Sequence, residues 1–160
     1  MNKFYLFISA TVLVLSTGCT STTALNHFER DPLSANAIQY TKKADLLYKT
    51  EIKAMVFVTY LNDVDKKYES NKINSFLIGV HLVNKENNNS KSNDYTITLN
   101  GHESENITAL DKDSKLVKSI PLKNIWADYY LINFKNDDSQ SLKIEFTHSL
   151  YGHTQLTFQK

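Results

Sequence analysis

From residue 51 onward the apolar residues of this chain recur at every second position, and that period leaves little room for anything but β-structure. In EIKAMVFVTYL (51–61), Ile52, Ala54, Val56, Val58 and Tyr60 share one face, with Met55, Phe57 and Leu61 on the other. Apolar residues on both faces, many of them β-branched or aromatic, predict a central strand covered on both sides. SFLIGVHLV (75–83) repeats the pattern through Phe76, Ile78, Val80 and Leu82. YTITL (95–99) alternates cleanly into Asn100-Gly101, a dipeptide suited to a type I′ turn because both central residues take positive φ. The segment after that turn, HESENITAL, reads as a returning strand from Ile107 or as an irregular connection. Residues 115–122 read as another short strand, closed by Pro121. ADYYLINFK (127–135), SLKIEFTHS (141–149) and HTQLTFQ (153–159) complete the set, the last with Leu156 and Phe158 inward.

Seven or so strands separated by turn signals predict a mainly β chain: an antiparallel β-sandwich, with an immunoglobulin-like arrangement as the candidate topology. The buried disulfide usual in such domains has no counterpart, because the chain holds one cysteine. A short N-terminal helix is expected ahead of the strands. Asp31-Pro32 is a helix start, and Leu33, Ala37, Tyr40, Ala44 and Leu47 follow at spacings of four and three. An edge strand over 38–42 is the competing reading of that stretch.

Residues 1–19, MNKFYLFISATVLVLSTGC, carry one cation (Lys3), an apolar run over 4–15 and small residues up to the single cysteine. This is the pattern of an export signal. The run falls short of the roughly 20 apolar residues that a spanning helix needs, and no later run reaches that length. The junction Leu15-Ser16-Thr17-Gly18-Cys19 resembles the lipobox of bacterial lipoproteins. Ser16 stands where that family has an aliphatic residue, and Leu15 lies one position further back. The resemblance implies a thioether-linked diacylglycerol on Cys19, which becomes the first residue after cleavage. Thr20, as a non-aspartate, resembles the sorting signal for an outer membrane. An ordinary secretory signal with an incidental Cys19 is the alternative. The expected organisation is a signal peptide at 1–18, a lipidated Ser/Thr-rich tether at 19–31 and one β-sandwich domain at 32–160.

Removing the signal leaves 142 residues with equal numbers of basic and acidic side chains, so no cationic excess points to nucleic acid. The chain has no G-x-S-x-G, and its histidines (His27, His81, His102, His148, His153) make no H-x-H or H-E-x-x-H spacing. His148 and His153, five residues apart, read as facing each other across the final hairpin or, as the expected reading, as a coincidence of its surface. The paired acids Asp63/Asp65, Asp111/Asp113 and Asp137/Asp138 sit in turn-like runs, and neither of the first two supplies the Gly and Glu of a calcium loop. No catalytic, cofactor-binding or metal-binding residue is expected. Asn88, within Glu86-Asn87-Asn88-Asn89-Ser90, fits a pattern resembling the bacterial N-glycosylation acceptor. Trp126, Tyr129 and Tyr130 read as sandwich core or, together, as a glycan or partner surface. The expected function is that of a membrane-anchored, non-enzymatic envelope lipoprotein working through protein contacts. The alternative is a small envelope hydrolase or glycan-binding protein in which these aromatics meet a carboxylate such as Asp128.

Overall fold

The computed structural model of the chain describes residues 32–83 and 94–160. The signal, Cys19, the tether, His27 and Asn88 lie outside the described residues. Residues 31–160 make up one compact unit. Helix α1 (Pro32–Gln39) leads into β1 (Thr41–Tyr48), β2 (Glu51–Tyr60) and β3 (Ile73–Leu82). Then come β4 (Tyr95–Leu99), β5 (Asn106–Leu110), helix α2 (Lys115–Ser119), β6 (Asp128–Lys135), β7 (Ser141–His148) and β8 (Gly152–Gln159). All strand pairs are antiparallel, in a five-stranded sheet ordered β1-β2-β3-β6-β5 and a three-stranded sheet ordered β4-β7-β8.

The two sheets face each other across one core in which Val56, Phe76, Ile78 and Phe134 meet Leu142, Ile144, Phe146 and Phe158. This is the β-sandwich that the alternating pattern predicts. Its strand order β2-β3-β6-β5 against β4-β7-β8 is the A-B-E-D against C-F-G order of a constant-type immunoglobulin sandwich. β1 is an extra strand beyond the A position. Aromatic rings carry the centre in place of a disulfide: Phe76 lies 5.0 Å from Tyr60, 5.8 Å from Phe158 and 5.9 Å, edge-on, from Phe134.

Two elements differ from the sequence reading. The short N-terminal helix is present as Pro32–Gln39, but the helical spacing that continues through Ala44 and Leu47 is not followed, and Thr41–Tyr48 form the edge strand β1. Thr41 marks the change: its hydroxyl donates to the Ala37 carbonyl (2.6 Å) and lies 2.8 Å from the Thr59 hydroxyl. Pairing along the whole of β2 then outweighs the helical spacing of Ala44 and Leu47. Residues 115–122 are not a strand. Ser114 caps helix α2 by accepting from the Val117 amide (3.3 Å). That helix lies on the outer face of the larger sheet, where Val117 and Ile120 pack with Leu61, Leu77 and Tyr129.

This second cluster takes in Leu77 from the outer face of β3 and Leu61, the residue just past β2. Tyr129 of this cluster also lies against the neighbouring strand. Tyr129 sits opposite Gly79, and a Cβ on Gly79 would come within 2.6 Å of the Tyr129 ring. We predict that Gly79→Ala lowers stability by about 1–3 kcal/mol, since the ring has to leave its place. The measurement is a urea titration, in which a shifted midpoint at constant slope is expected. An unchanged midpoint would mean that the ring moves aside freely.

Candidate functional site

The two long sides of the sandwich are built differently. On one side β1 and β8 close the edge. Lys42 and Lys43 stand on β1, which also has a register shift at Leu46/Leu47. The Lys42 ammonium reaches across to the Thr157 carbonyl and sits 5.1 Å from the centre of the Phe158 ring. Charges and a bulge are the usual means by which a sheet edge avoids further pairing.

Among the described residues, the edge strands of the opposite side have neither. β4 (YTITL) and β5 (NITAL) are the edge strands of their sheets, and no lysine, proline, charge or register shift interrupts either one. Between them the sandwich stays open as a cavity of about 340 Å³, lined by Tyr95, Ile97, Ile107, Tyr130 and Ile132. The chain leaves the smaller sheet at this point. Asn100 and Gly101 take φ of 50° and 83°, forming the turn that the dipeptide predicts. Only one bridge, Leu99 to His102, follows it. The chain then crosses to the other sheet, so β5 pairs with β6 rather than with β4, and Ile107 is left 56% exposed.

The wall of the groove is polar at one point. Burial pushes the Tyr95 phenol well above its ordinary pKa, helped by its hydrogen bond to Tyr130 and by the charge of Asp128. Tyr95 is therefore a neutral hydroxyl across the physiological range, held against Phe146 at 4.8 Å. Glu103 lines the mouth, and Glu105 immediately precedes β5, so the rim at that end is acidic.

The aromatic trio of the sequence reading does not come together. Trp126 is 71% exposed at a turn rather than in the core. Tyr129 is buried on the outer face beneath α2, and Tyr130 points to the inner face, into the groove. Alternation along β6 separates the two tyrosines. His148 is buried rather than on the surface: it pairs with Gly152, accepts from the Leu150 amide (3.1 Å) and stacks on Tyr151. His153 faces Thr147 instead.

The paired acids build turns. Asp111 accepts from the Asp113 amide (2.7 Å), Asp65 from the Lys67 amide (3.0 Å) and Asp137 from the Ser139 amide (3.1 Å). Among the described residues, no group of three or more His, Cys, Asp or Glu is placed to hold a metal ion. Nor is any described helix long and apolar enough to cross a membrane.

Periodicity identified β4 but gave no sign of the groove, because the crossing of β5 to the other sheet has no short-range signature. Compared with known proteins, the chain matches no family model, no curated protein and no solved structure.

Asn100 ties the turn after β4 to the start of β7 and to the connection before it. Its amide donates to Asp137 Oδ2 (2.7 Å) and to the Ser141 carbonyl (3.1 Å), and its Oδ1 accepts from the Lys143 amide (2.8 Å). The Asn100 hydrogen bond holds the Asp137 carboxyl below its ordinary value of 3.8. The stability from this bond is therefore present above 3.8 and is lost as pH falls through the lowered value. Asn100→Gly keeps the positive φ and removes the side chain. We expect it to move the Asp137 titration, followed by NMR, up towards 3.8 and to flatten the acid limb of the stability curve. An unmoved Asp137 titration would show that another group holds the carboxylate.

Proposed function

We propose that this chain is a membrane-anchored, non-enzymatic envelope lipoprotein that acts through protein contacts, as an accessory subunit or adhesin-like module. The anchor is a diacylglycerol on Cys19, and the membrane is the outer one, with the domain facing the periplasm or the surface. The reading of residues 1–19 as a lipobox-type signal supports the anchor. The observation that carries the contact function is the contrast between the two sides of the sandwich, one guarded by Lys42 and Lys43 and the other open at β4 and β5.

The occupant of the open side is an extended segment of a partner envelope protein. An unguarded edge offers backbone donors and acceptors to a new strand, and pockets beside it select alternate side chains. Apolar residues at every second position of that segment would meet Ile97, Ile107 and Tyr130. A basic residue at one end would meet Glu103 and Glu105. The alternative of a glycan-binding protein or small envelope hydrolase has one observation in its favour, the exposed ring of Trp126.

Two outcomes follow. Cys19→Ala should block lipid incorporation, read as mass, and release the chain from membrane fractions. Unchanged mass and partitioning would overturn the anchor. In cells, a photo-crosslinker at Thr108 on β5 should capture a partner protein that one at Lys43 on β1 does not. Equal capture from both edges, or none from Thr108, would overturn the edge reading.

A further inference from the structure

Alternation along β4 decides which of its backbone groups face outward. The Ser149 amide donates to the Asp94 carbonyl (2.9 Å) and the Asn100 amide to the Lys143 carbonyl (2.9 Å), so the even-numbered residues of β4 exchange their bonds with β7. The amides and carbonyls of Tyr95, Ile97 and Leu99 therefore point to the open edge. Leu99 is already used: its amide donates to the His102 carbonyl (3.0 Å) and its carbonyl accepts from the His102 amide (2.8 Å). That is the first rung of a hairpin, and the chain makes only this one. Past His102 it crosses to the larger sheet, where the Glu105 amide donates to the Asn133 carbonyl (2.9 Å). Among the described residues, the next two rungs, at Ile97 and Tyr95, have no backbone partner.

Of the two edges, β4 is the one that faces the groove along its length. Residues 95–98 all line it, against Ile107 alone of β5. Tyr95 and Ile97 turn their side chains to the core while their backbone groups point along the sheet. A residue set directly opposite either of them places its own side chain on that same face, against Ile107, Ile132 and Tyr130. The backbone bonds and the side-chain contacts of one added strand thus fall on the same two residues.

We infer that the partner segment is recognised in one direction: it pairs antiparallel with β4, its amino end at the Asn100-Gly101 turn. The inference rests on the protein-contact reading of the open side. The segment continues the ladder that His102 begins. It exchanges both bonds with Ile97 and then both with Tyr95, which is the antiparallel pattern. Its two groove-facing residues are apolar, and the residue between them turns to the outer face of the sheet. In the sandwich it takes the place beside β4 that variable-type immunoglobulin domains give to a strand of their own, C′.

Charge gives the segment its polarity. Glu103 lines the groove just past the turn and Glu105 stands at the foot of β5, and neither is in an ion pair among the described residues. At the far end Asp94 and Asp128, the carboxylates beside Tyr95, are already engaged. A basic residue therefore precedes the two apolar ones in the segment, and the opposite orientation would carry it away from the acidic rim.

Direction can be read in cells with the full chain carrying a photo-crosslinking residue at Thr96 or at Thr98, which alternate with Tyr95 and Ile97 onto the outer face of β4. Both positions should capture the protein captured from Thr108. Mass spectrometry of the products should place the Thr98 crosslink about two residues N-terminal to the Thr96 crosslink in the partner. A synthetic copy of the captured segment should then bind the purified chain, measured by fluorescence anisotropy. N-methylation of its two groove-facing residues should weaken binding about tenfold or more, and N-methylation of the residue between them should not. The double variant Glu103→Gln/Glu105→Gln should weaken binding at low salt and less as salt rises. The opposite order of crosslinks would make the strand parallel, and capture from Thr108 without Thr96 or Thr98 would seat it on β5. Either result overturns the inference and leaves the open side as a contact surface. Binding indifferent to N-methylation at all three residues would overturn it too, because no ladder would be forming. Capture from none of the three positions would remove the contact reading itself.

Discussion

The contact between the Tyr129 ring and Gly79 underlies the second apolar cluster, on the outer face of the larger sheet. Only a residue without a side chain lets the ring lie flat against β3, and the ring in turn forms the floor on which Val117 and Ile120 of α2 pack. The same residue reaches further. Its hydroxyl bonds both backbone groups of Asn124, so the ring that anchors the outer cluster also sets the turn that displays Ile125 and Trp126. Packing energy on one face of a strand is thereby converted into a fixed position for an exposed loop.

β3 is the strand through which both layers communicate. Its inner residues Phe76, Ile78 and Val80 belong to the sandwich core, and Leu77 belongs to the outer cluster. A strand buried on both sides tolerates no register slip, since a shift of one residue would exchange the two sets. With β3 fixed, β2 and β6 are fixed beside it, and the sheet has only its two rims left to distinguish. One rim is closed by Lys42 lying over β8. The other stays open because β5 crosses to the larger sheet, so that Ile107 faces a gap instead of a partner strand. The open groove is thus a product of connectivity, and its apolar lining is core that the sandwich leaves uncovered.

Long alternating runs were legible residue by residue. β2, β3, β4, β6, β7 and β8 follow their apolar periods, and Asn100-Gly101 makes its turn for the conformational reason that the dipeptide implies. Shorter or mixed segments were not. Ala44 and Leu47 satisfy a helical spacing, yet their place is decided by pairing with β2, which lies beyond any local window. In α2, Leu116, Val117 and Ile120 look equally like a short strand, and the outer face of the sheet selects the helix. Trp126 has the composition of a core residue, and nothing local reveals that a turn hydrogen-bonded through Asn124 holds it outside. The candidate surfaces were legible only as residue types.

The sequence by itself determined the class of architecture and the presence of an N-terminal stretch resembling a lipoprotein signal. Both are written in the spacing and length of apolar runs, which short-range physics reads directly. Tertiary structure alone decided which edges pair and which edge stays open among the described residues. Period two tells each strand which of its faces is apolar. It does not say which strand will lie beside it, and that choice depends on contacts between residues far apart in the chain.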